Sequence, residues 1–114
     1  MLAFGAGWRK RWIIPKGGLM RGKKAHEAAL VEAWEEAGVE AKAVGETSLG
    51  TFDYIKDRDE GLPTPCDTKV YPVEVADLSD EYPEAGERER RWLPVHEAAE
   101  LVEEDGLKEI LRRF

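Results

Sequence analysis

A strand, a glycine-rich loop and a helix are predicted in succession between Trp8 and Gly38, and this order constrains the fold most strongly. The segment W-R-K-R-W-I-I-P alternates apolar and basic residues and then becomes apolar, which predicts a strand with one wet face. Pro15 ends that strand, and the loop K-G-G-L-M-R-G follows, in which glycines let backbone approach a ligand closely. From Ala25 to Ala37 alanines recur every fourth residue, which predicts a helix, and Gly38 supplies its stop.

Three glutamates of this predicted helix have the spacing of a metal site. Glu32, Glu35 and Glu36 stand at i, i+3 and i+4, so we expect their side chains to emerge on one face. Carboxylates so close repel one another unless a cation lies among them, and Mg²⁺ and Mn²⁺ prefer oxygen ligands. The helix is expected to begin poorly, because no Ser, Thr, Asp or Asn precedes it as a cap.

A second segment, from Ala99 to Gly106, repeats the spacing E-x-x-E-E-x-G, and both segments follow the tetrapeptide H-E-A-A. We expect Pro94 to open a helix that carries Glu100, Glu103 and Glu104 on one face, as in the first set. No glycine loop precedes this copy. Because acidic helix faces are commonly solvated, we interpret the second set as an ordinary surface and the first as the candidate site.

The charge distribution restricts the classes of partner. A net charge of −7 argues against nucleic-acid binding. Residues 1–24 nevertheless hold seven of the 17 basic residues and none of the 24 acidic ones, which suggests a local anion-handling segment; a solvated charged face explains a basic run as well. The sequence lacks an apolar run of about 18–20 residues, which a membrane span needs, so we expect no membrane partner and a cytoplasmic location.

The remainder of the chain predicts one domain of the α/β or α+β class. Strands interspersed with helices favour a mixed sheet covered by helices. The predicted elements are strands at Val39–Glu46, Leu49–Lys56 and Thr68–Val75, a short strand ending at Trp92-Leu93, and a final amphipathic helix at Leu107–Phe114.

The segment from Gly17 to Val39 resembles the signature of the Nudix hydrolases, G-x5-E-x7-R-E-U-x-E-E-x-G-U, where U is apolar. The preceding W-I-I-P-K-G resembles the branch that acts on diphosphoinositol and diadenosine polyphosphates. The later stretch from Gly50 to Trp92, with F-D-Y, P-C and E-R-E-R-R-W-L-P, does so too. The resemblance implies a Nudix fold, a mixed β-sheet between α-helices, in one domain over residues 1–114 with the box at 17–39.

The same resemblance implies a metal-dependent hydrolase of a diphosphate linkage. Its substrate would be nucleoside diphosphate-linked, a dinucleoside polyphosphate or an inositol pyrophosphate, and its cofactor Mg²⁺ or Mn²⁺. By the family pattern Glu32, Glu35 and Glu36 are the metal-facing catalytic acids, and the carbonyl of Gly17 adds a ligand. Glu32 or a glutamate of a later loop would accept the proton of the attacking water. The loop candidates are Glu84, Glu87 and Glu89.

Four basic residues are the expected substrate contacts, although an ordinary surface cation remains an equal explanation for each. They are Arg9, Arg11, Lys16 and Arg88.

Two positions depart from the signature. Lys23 replaces its first glutamate, and Val31 replaces the arginine that is expected to hold carboxylates of the box in place. Loss of such support commonly weakens metal binding about 10–100-fold. A weakly active or inactive module that binds a nucleotide or phosphorylated ligand is therefore the alternative.

The beginning of the sequence also departs from the family pattern. Family members usually have a strand before the one predicted at Trp8–Ile14, and only M-L-A-F-G-A-G precedes it here. Either the sequence starts late, or the first strand is missing or truncated and its edge is covered in another way. A homodimer is one hypothesis for that cover.

Overall fold

The computed structural model describes residues 2–6, 11–17, 20–56 and 64–114. Within strands, the side chains of residues 2–6, 11, 54–56, 64, 65 and 88 lie outside this description. The elements in these ranges are, in chain order, β1 (Leu2–Ala6), β2 (Arg11–Ile13), α1 (Ala25–Ala37), β3 (Val39–Val44), β4 (Gly50–Lys56), β5 (Thr64–Val70), β6 (Val73–Leu78), β7 (Arg88–Trp92), α2 (Val95–Leu101) and α3 (Asp105–Arg113).

The described strands pair antiparallel in three small sheets. β1 lies between β2 and β7, β3 pairs with β6, and β4 pairs with β5. An isolated parallel bridge joins Trp12 of β2 to Val102, just after α2. Antiparallel sheets with flanking helices form an α+β arrangement, which confirms the predicted fold class. The strand β1 lies within the segment M-L-A-F-G-A-G, and β2 and β7 pair with its two edges.

The bounds of α1 agree with the prediction, and its start is better satisfied than predicted. Gly38 has a φ of 68°, and its N–H donates to the carbonyls of Ala33 and Trp34. At the other end the N–H of Lys24 donates to Glu27 Oε1 at 2.8 Å. That hydrogen bond, reinforced by neighbouring cations, lowers the pKa of Glu27. A glutamate at the third helical position therefore satisfies the N–H of the N-cap residue, as the glutamate of a capping box does.

The predicted strand Thr68–Val75 is two strands. β5 ends at Val70 and β6 begins at Val73, with Tyr71 and Pro72 between them. Proline has no N–H to continue a ladder, and it restricts the residue before it. The carbonyl of Pro72 instead accepts the N–H of Gly45 at 2.9 Å, which fixes the turn against β3.

The prediction of a single helix that carries the second glutamate set is also wrong. α2 ends at Leu101, and Val102 has extended backbone with φ −75° and ψ 152°. Glu100 lies on α2, whereas Glu104 is the N-cap of α3. Val102 is 1% exposed and bridges to β2. These contacts stabilise its extended backbone more than continuation of the helix would. The three glutamates therefore share no helix face.

Two groups of buried side chains support the fold. The larger one joins α2 and α3 to the sheets, and Phe52, Leu107 and Val102 are its largest fully buried members. The smaller one consists of Ala33, Ala37 and Val39, with valines of β6 packed on it. Its small side chains hold α1 close to the β3–β6 sheet. Of the helices that the structure describes, none has the length and apolar character needed to cross a bilayer.

Candidate metal and phosphate site

The glycine loop before α1 lies directly against the carboxylate of Glu32. A Cβ built on Gly17 would overlap that carboxylate, so the space beside the Gly17 backbone is filled by the acid. Any other residue at position 17 would force the carboxylate aside. This close approach of backbone and acid is what the glycine-rich loop suggested.

Glu36 meets the residue just before Gly17. The N–H of Lys16 donates to Glu36 Oε2 at 3.1 Å, and Glu36 is only 7% exposed. A buried carboxylate is strongly unfavourable unless hydrogen bonds compensate for its lost water. Two of the three box acids therefore lie against consecutive loop residues, 16 and 17.

The three box acids do not form a ready-made metal cluster. No group of three or more His, Cys, Asp or Glu side chains has metal-binding geometry within the described ranges. The chemistry nevertheless fits Mg²⁺ or Mn²⁺, because the donors are oxygens and Gly17 leaves backbone exposed beside Glu32. Glu35 lies half-buried on the same helix. Convergence on one ion would require rotation of these side chains.

Glu104, from the second glutamate set, also enters the candidate site. Its carboxylate Oε1 lies 3.9 Å from the Lys16 ammonium, and the two side chains are 6% and 19% exposed. Lys16 thus contacts one acid through its backbone and another through its side chain. The interpretation of the second set as a solvated surface is wrong for Glu104, because the chain turns back toward β2 after α2. Glu100 and Glu103 are exposed.

The other predicted substrate contacts are placed only in part. Arg9 lies outside the described residues, and so do the side chains of Arg11 and Arg88. Their backbones occupy one row of the first sheet, since Ala6 of β1 pairs with Arg11 on one side and with Arg88 on the other. The sheet therefore brings these two positions together from opposite ends of the sequence.

The loop between β6 and β7 packs on the C-terminal end of α1. The N–H of Ser79 donates to the carbonyl of Gly38, and the N–H of Glu84 donates to the carbonyl of Glu35, both at 2.9 Å. This loop carries Glu84 and Glu87, two of the predicted proton acceptors. The third, Glu89, lies in β7, with its carboxylate 3.4 Å from the Arg91 guanidinium.

Two residues of this region were not predicted from the sequence. Arg90 of β7 reaches the end of α1, and Glu104 reaches Lys16. In the sequence Arg90 is one of three arginines in the charged run E-R-E-R-R. Glu104 is one of three glutamates in the pattern E-x-x-E-E-x-G, which occurs twice. Neither local pattern signals a contact with a distant segment.

A cavity of about 470 Å³ adjoins the site. Lys16, Gly17 and Glu32 belong to its lining, and alanines of α1 and valines of β6 form much of the apolar remainder. Its volume lies within the range of small-molecule pockets, about 300–1,000 Å³. Glu32 of the box therefore borders a space large enough for part of a small molecule.

The sequence matches known proteins over nearly its whole length. The family model of the NUDIX domain matches residues 3–114. Nudix hydrolase 21, chloroplastic, of Arabidopsis thaliana is 34% identical over 105 residues, covering 92% of this chain and 50% of the relative. Nudix hydrolase 12, mitochondrial, of the same plant is 35% identical over 106 residues, covering 90% and 51%.

Human diphosphoinositol polyphosphate phosphohydrolase 3-beta is 33% identical over 95 residues, covering 82% of this chain and 53% of that protein. The chain belongs to the Nudix family, as its box suggested. It spans about half the length of the curated relatives it matches. Hydrolases of this family act on phosphorylated small molecules and generally need a divalent metal ion.

Proposed function

We propose that this chain is a hydrolase that uses Mg²⁺ or Mn²⁺ to cleave a diphosphate linkage in a phosphorylated small molecule. One observation carries the proposal. Glu32 and Glu36 of the box meet Gly17 and Lys16 of the glycine loop, so acids and exposed backbone come together in one place. The names of the relatives support the same class of reaction.

The residues of the proposed reaction divide into three roles. Glu32, Glu35 and Glu36, with the Gly17 carbonyl, would hold the cation. A bound Mg²⁺ or Mn²⁺ supplies charge neutralisation of the phosphate oxygens and a lowered pKa for the attacking water. Glu32 or a glutamate of the β6–β7 loop would accept the proton of that water. Arg9, Arg11, Lys16 and Arg88 are proposed to contact the phosphates.

Among the proposed substrates, the cavity favours one with an apolar or aromatic group. Within the described part of the chain, its lining includes two lysines, Lys16 and Lys69, and two acids, Glu32 and Asp67. This described part of the wall is balanced in charge and largely apolar. It suits a nucleobase better than a ring that carries many phosphates, because each buried phosphate would need its own cation. We therefore rank nucleoside diphosphate-linked and dinucleoside polyphosphate substrates above inositol pyrophosphates.

A weakly active or inactive module that binds a nucleotide or phosphorylated ligand is the second candidate. Two features favour it. Lys23 and Val31 depart from the box, and the described acids form no cluster of three around a metal position. Such a module would retain the cavity and bind its ligand without metal.

A substrate panel with Mg²⁺ or Mn²⁺ distinguishes the two candidates. The panel contains a dinucleoside polyphosphate, a nucleoside diphosphate sugar and an inositol pyrophosphate, and product release is measured. We expect the unmodified chain to turn over substrate and Glu32→Gln to abolish that turnover. The matched controls Glu100→Gln and Glu103→Gln, at exposed positions of the second set, should retain it. Absence of turnover on every substrate, together with metal-independent ligand binding, would favour the binding module.

We further propose one Nudix domain over residues 1–114, a cytoplasmic location, and no nucleic-acid or membrane partner. The plant relatives include proteins named chloroplastic and mitochondrial, so localisation of a tagged chain is the direct test. A homodimer stays a prediction, and light scattering of the purified chain tests it.

A further inference from the structure

The C-terminal turn of α1 has an unfavourable charge distribution. It contains Glu35 and Glu36 and no basic residue. The carbonyl groups at a helix C-terminus carry partial negative charge, so acids there are destabilising and cations are stabilising. This turn is also the one whose acids we propose to face the metal, and a cation from elsewhere in the chain would stabilise it.

Arg90 supplies that cation. Its Nη1 donates to the carbonyl of Ala37, the last residue of α1, at 2.8 Å. The same nitrogen donates to the carbonyl of Ser79 at 2.8 Å, and Nη2 donates to Asp80 Oδ1 at 3.0 Å. The guanidinium also lies over the ring of Tyr82, 5.0 Å from its centroid, and the side chain is 18% exposed.

These contacts join α1 to the loop from Ser79 to Glu87. The backbone of that loop makes two more hydrogen bonds to the helix end, from Ser79 to Gly38 and from Glu84 to Glu35. At their junction the side chain of Arg90 contacts both partners, through the carbonyls of Ala37 and Ser79. Planar guanidinium groups suit such a role, because they donate in several fixed directions while stacking on an aromatic ring.

We propose that Arg90 is a positioning residue, which holds the Ser79–Glu87 loop on the end of α1 and so fixes the acids of the loop relative to those of the box. The inference rests on the proposed function, since it assigns Arg90 to the turn that would hold the cation. We assign Arg90 no contact with the substrate or the metal, because its guanidinium is held by Ala37, Ser79 and Asp80. Its loss should loosen the loop and misplace the box acids without unfolding the domain.

The chain offers a matched control in Lys108. Its ammonium donates to the carbonyls of Ala99 and Glu100 at the end of α2, both at 3.2 Å. Lys108 therefore caps α2 as Arg90 caps α1, and both carbonyls that its ammonium contacts belong to α2 rather than to the box helix. A general effect of losing a helix-capping cation should be the same in Arg90→Gln and Lys108→Gln, whereas a positioning effect should be confined to Arg90→Gln.

The test combines three measurements on the full chain. Amide hydrogen exchange follows the N–H groups of Ser79 and Glu84, Mn²⁺ titration followed by electron paramagnetic resonance gives metal affinity, and steady-state kinetics give kcat and KM separately. For Arg90→Gln we expect exchange of both amides to rise at least about tenfold and Mn²⁺ affinity and kcat to fall about 10–100-fold, with KM nearly unchanged. Arg90→Lys should recover part of each loss.

The outcomes separate this inference from the proposed function. Equal changes in Arg90→Gln and Lys108→Gln, or unchanged exchange at Ser79 and Glu84, would overturn the positioning role. A wild-type chain that neither binds Mn²⁺ nor turns over any substrate would overturn the proposed function, and hydrogen exchange alone would then decide the role of Arg90. If Arg90→Gln does not fold, Arg90→Lys is measured instead, with an expected change of about 3–10-fold.

Discussion

Replacing Gly38 by alanine should destabilise the protein far more than a Gly→Ala change usually does. Gly38 has a φ of +68°, which side chains with a Cβ rarely adopt. A Cβ there would lie 2.5 Å from Cδ1 of Tyr82 and 2.6 Å from the carbonyl oxygen of Ser79. The Ser79 oxygen cannot move away easily, because Arg90 donates to it and the Ser79 N–H donates to Gly38.

The expected magnitude has two parts. Left-handed backbone costs a residue with a Cβ about 1–2 kcal/mol. Forcing an extra methyl group into a well-packed site costs a further amount of about 1–3 kcal/mol. We therefore expect Gly38→Ala to lower the free energy of unfolding by about 2–5 kcal/mol, a large fraction of the total for a small domain.

Two other glycines isolate the crowding contribution. Gly22 and Gly86 have φ values of +79° and +85°, and nothing lies within 4 Å of a Cβ built on either. Gly22→Ala and Gly86→Ala should lose the backbone part alone, about 1–2 kcal/mol. Urea unfolding of the three variants measures the difference, provided that the m-values agree. Equal losses in Gly38→Ala and the two controls would refute the assignment of this end of α1 as a close-packed junction.

Three further predictions concern the loop and the titrating carboxylates. Gly17→Ala should displace the carboxylate of Glu32, the mobile end of its side chain, so Mn²⁺ affinity should fall about 10–100-fold by calorimetry while urea unfolding changes by less than about 1 kcal/mol. Glu27→Gln should lower the melting temperature at pH 7. Since the folded pKa of Glu27 lies below its ordinary 4.5, that loss should disappear as the pH falls through the folded value. Asp53→Asn should raise the melting temperature at pH 7, because a hydrogen bond with Asp67 and its charge raise the pKa of Asp53. That gain should vanish below about pH 3.8, and its persistence there would contradict repulsion as the cause.

Much of the box region could be predicted because its signals are local. The alanine period and the terminal glycine predicted the helix Ala25–Ala37 with the bounds that the structure has. The order of glycine loop, helix and acids also identified the family, which the match over residues 3–114 confirms. The strand Thr68–Val75 was wrong for a local reason as well, since Pro72 interrupts the ladder.

The second glutamate set shows where local reasoning fails. Glu103 and Glu104 have the spacing of Glu35 and Glu36, and helix periodicity assigns both pairs to one kind of surface. The difference comes from Val102, whose buried side chain and bridge to β2 break the helix before the second pair. The spacing of residues along the chain gives no information about the pairing of Val102 with the distant strand β2.

By itself the sequence determined the family, the helix of the box and the glycines on which that helix depends. Each of these is specified by residues close to it in the sequence. Only the tertiary structure decided that Glu104 lies beside Lys16 and that Arg90 reaches Ala37 across 53 residues. Such contacts depend on which sheets and helices pack together and in what register. That packing is settled by the burial of the whole core, whereas a charged residue in the sequence looks the same whether it faces water or a helix end.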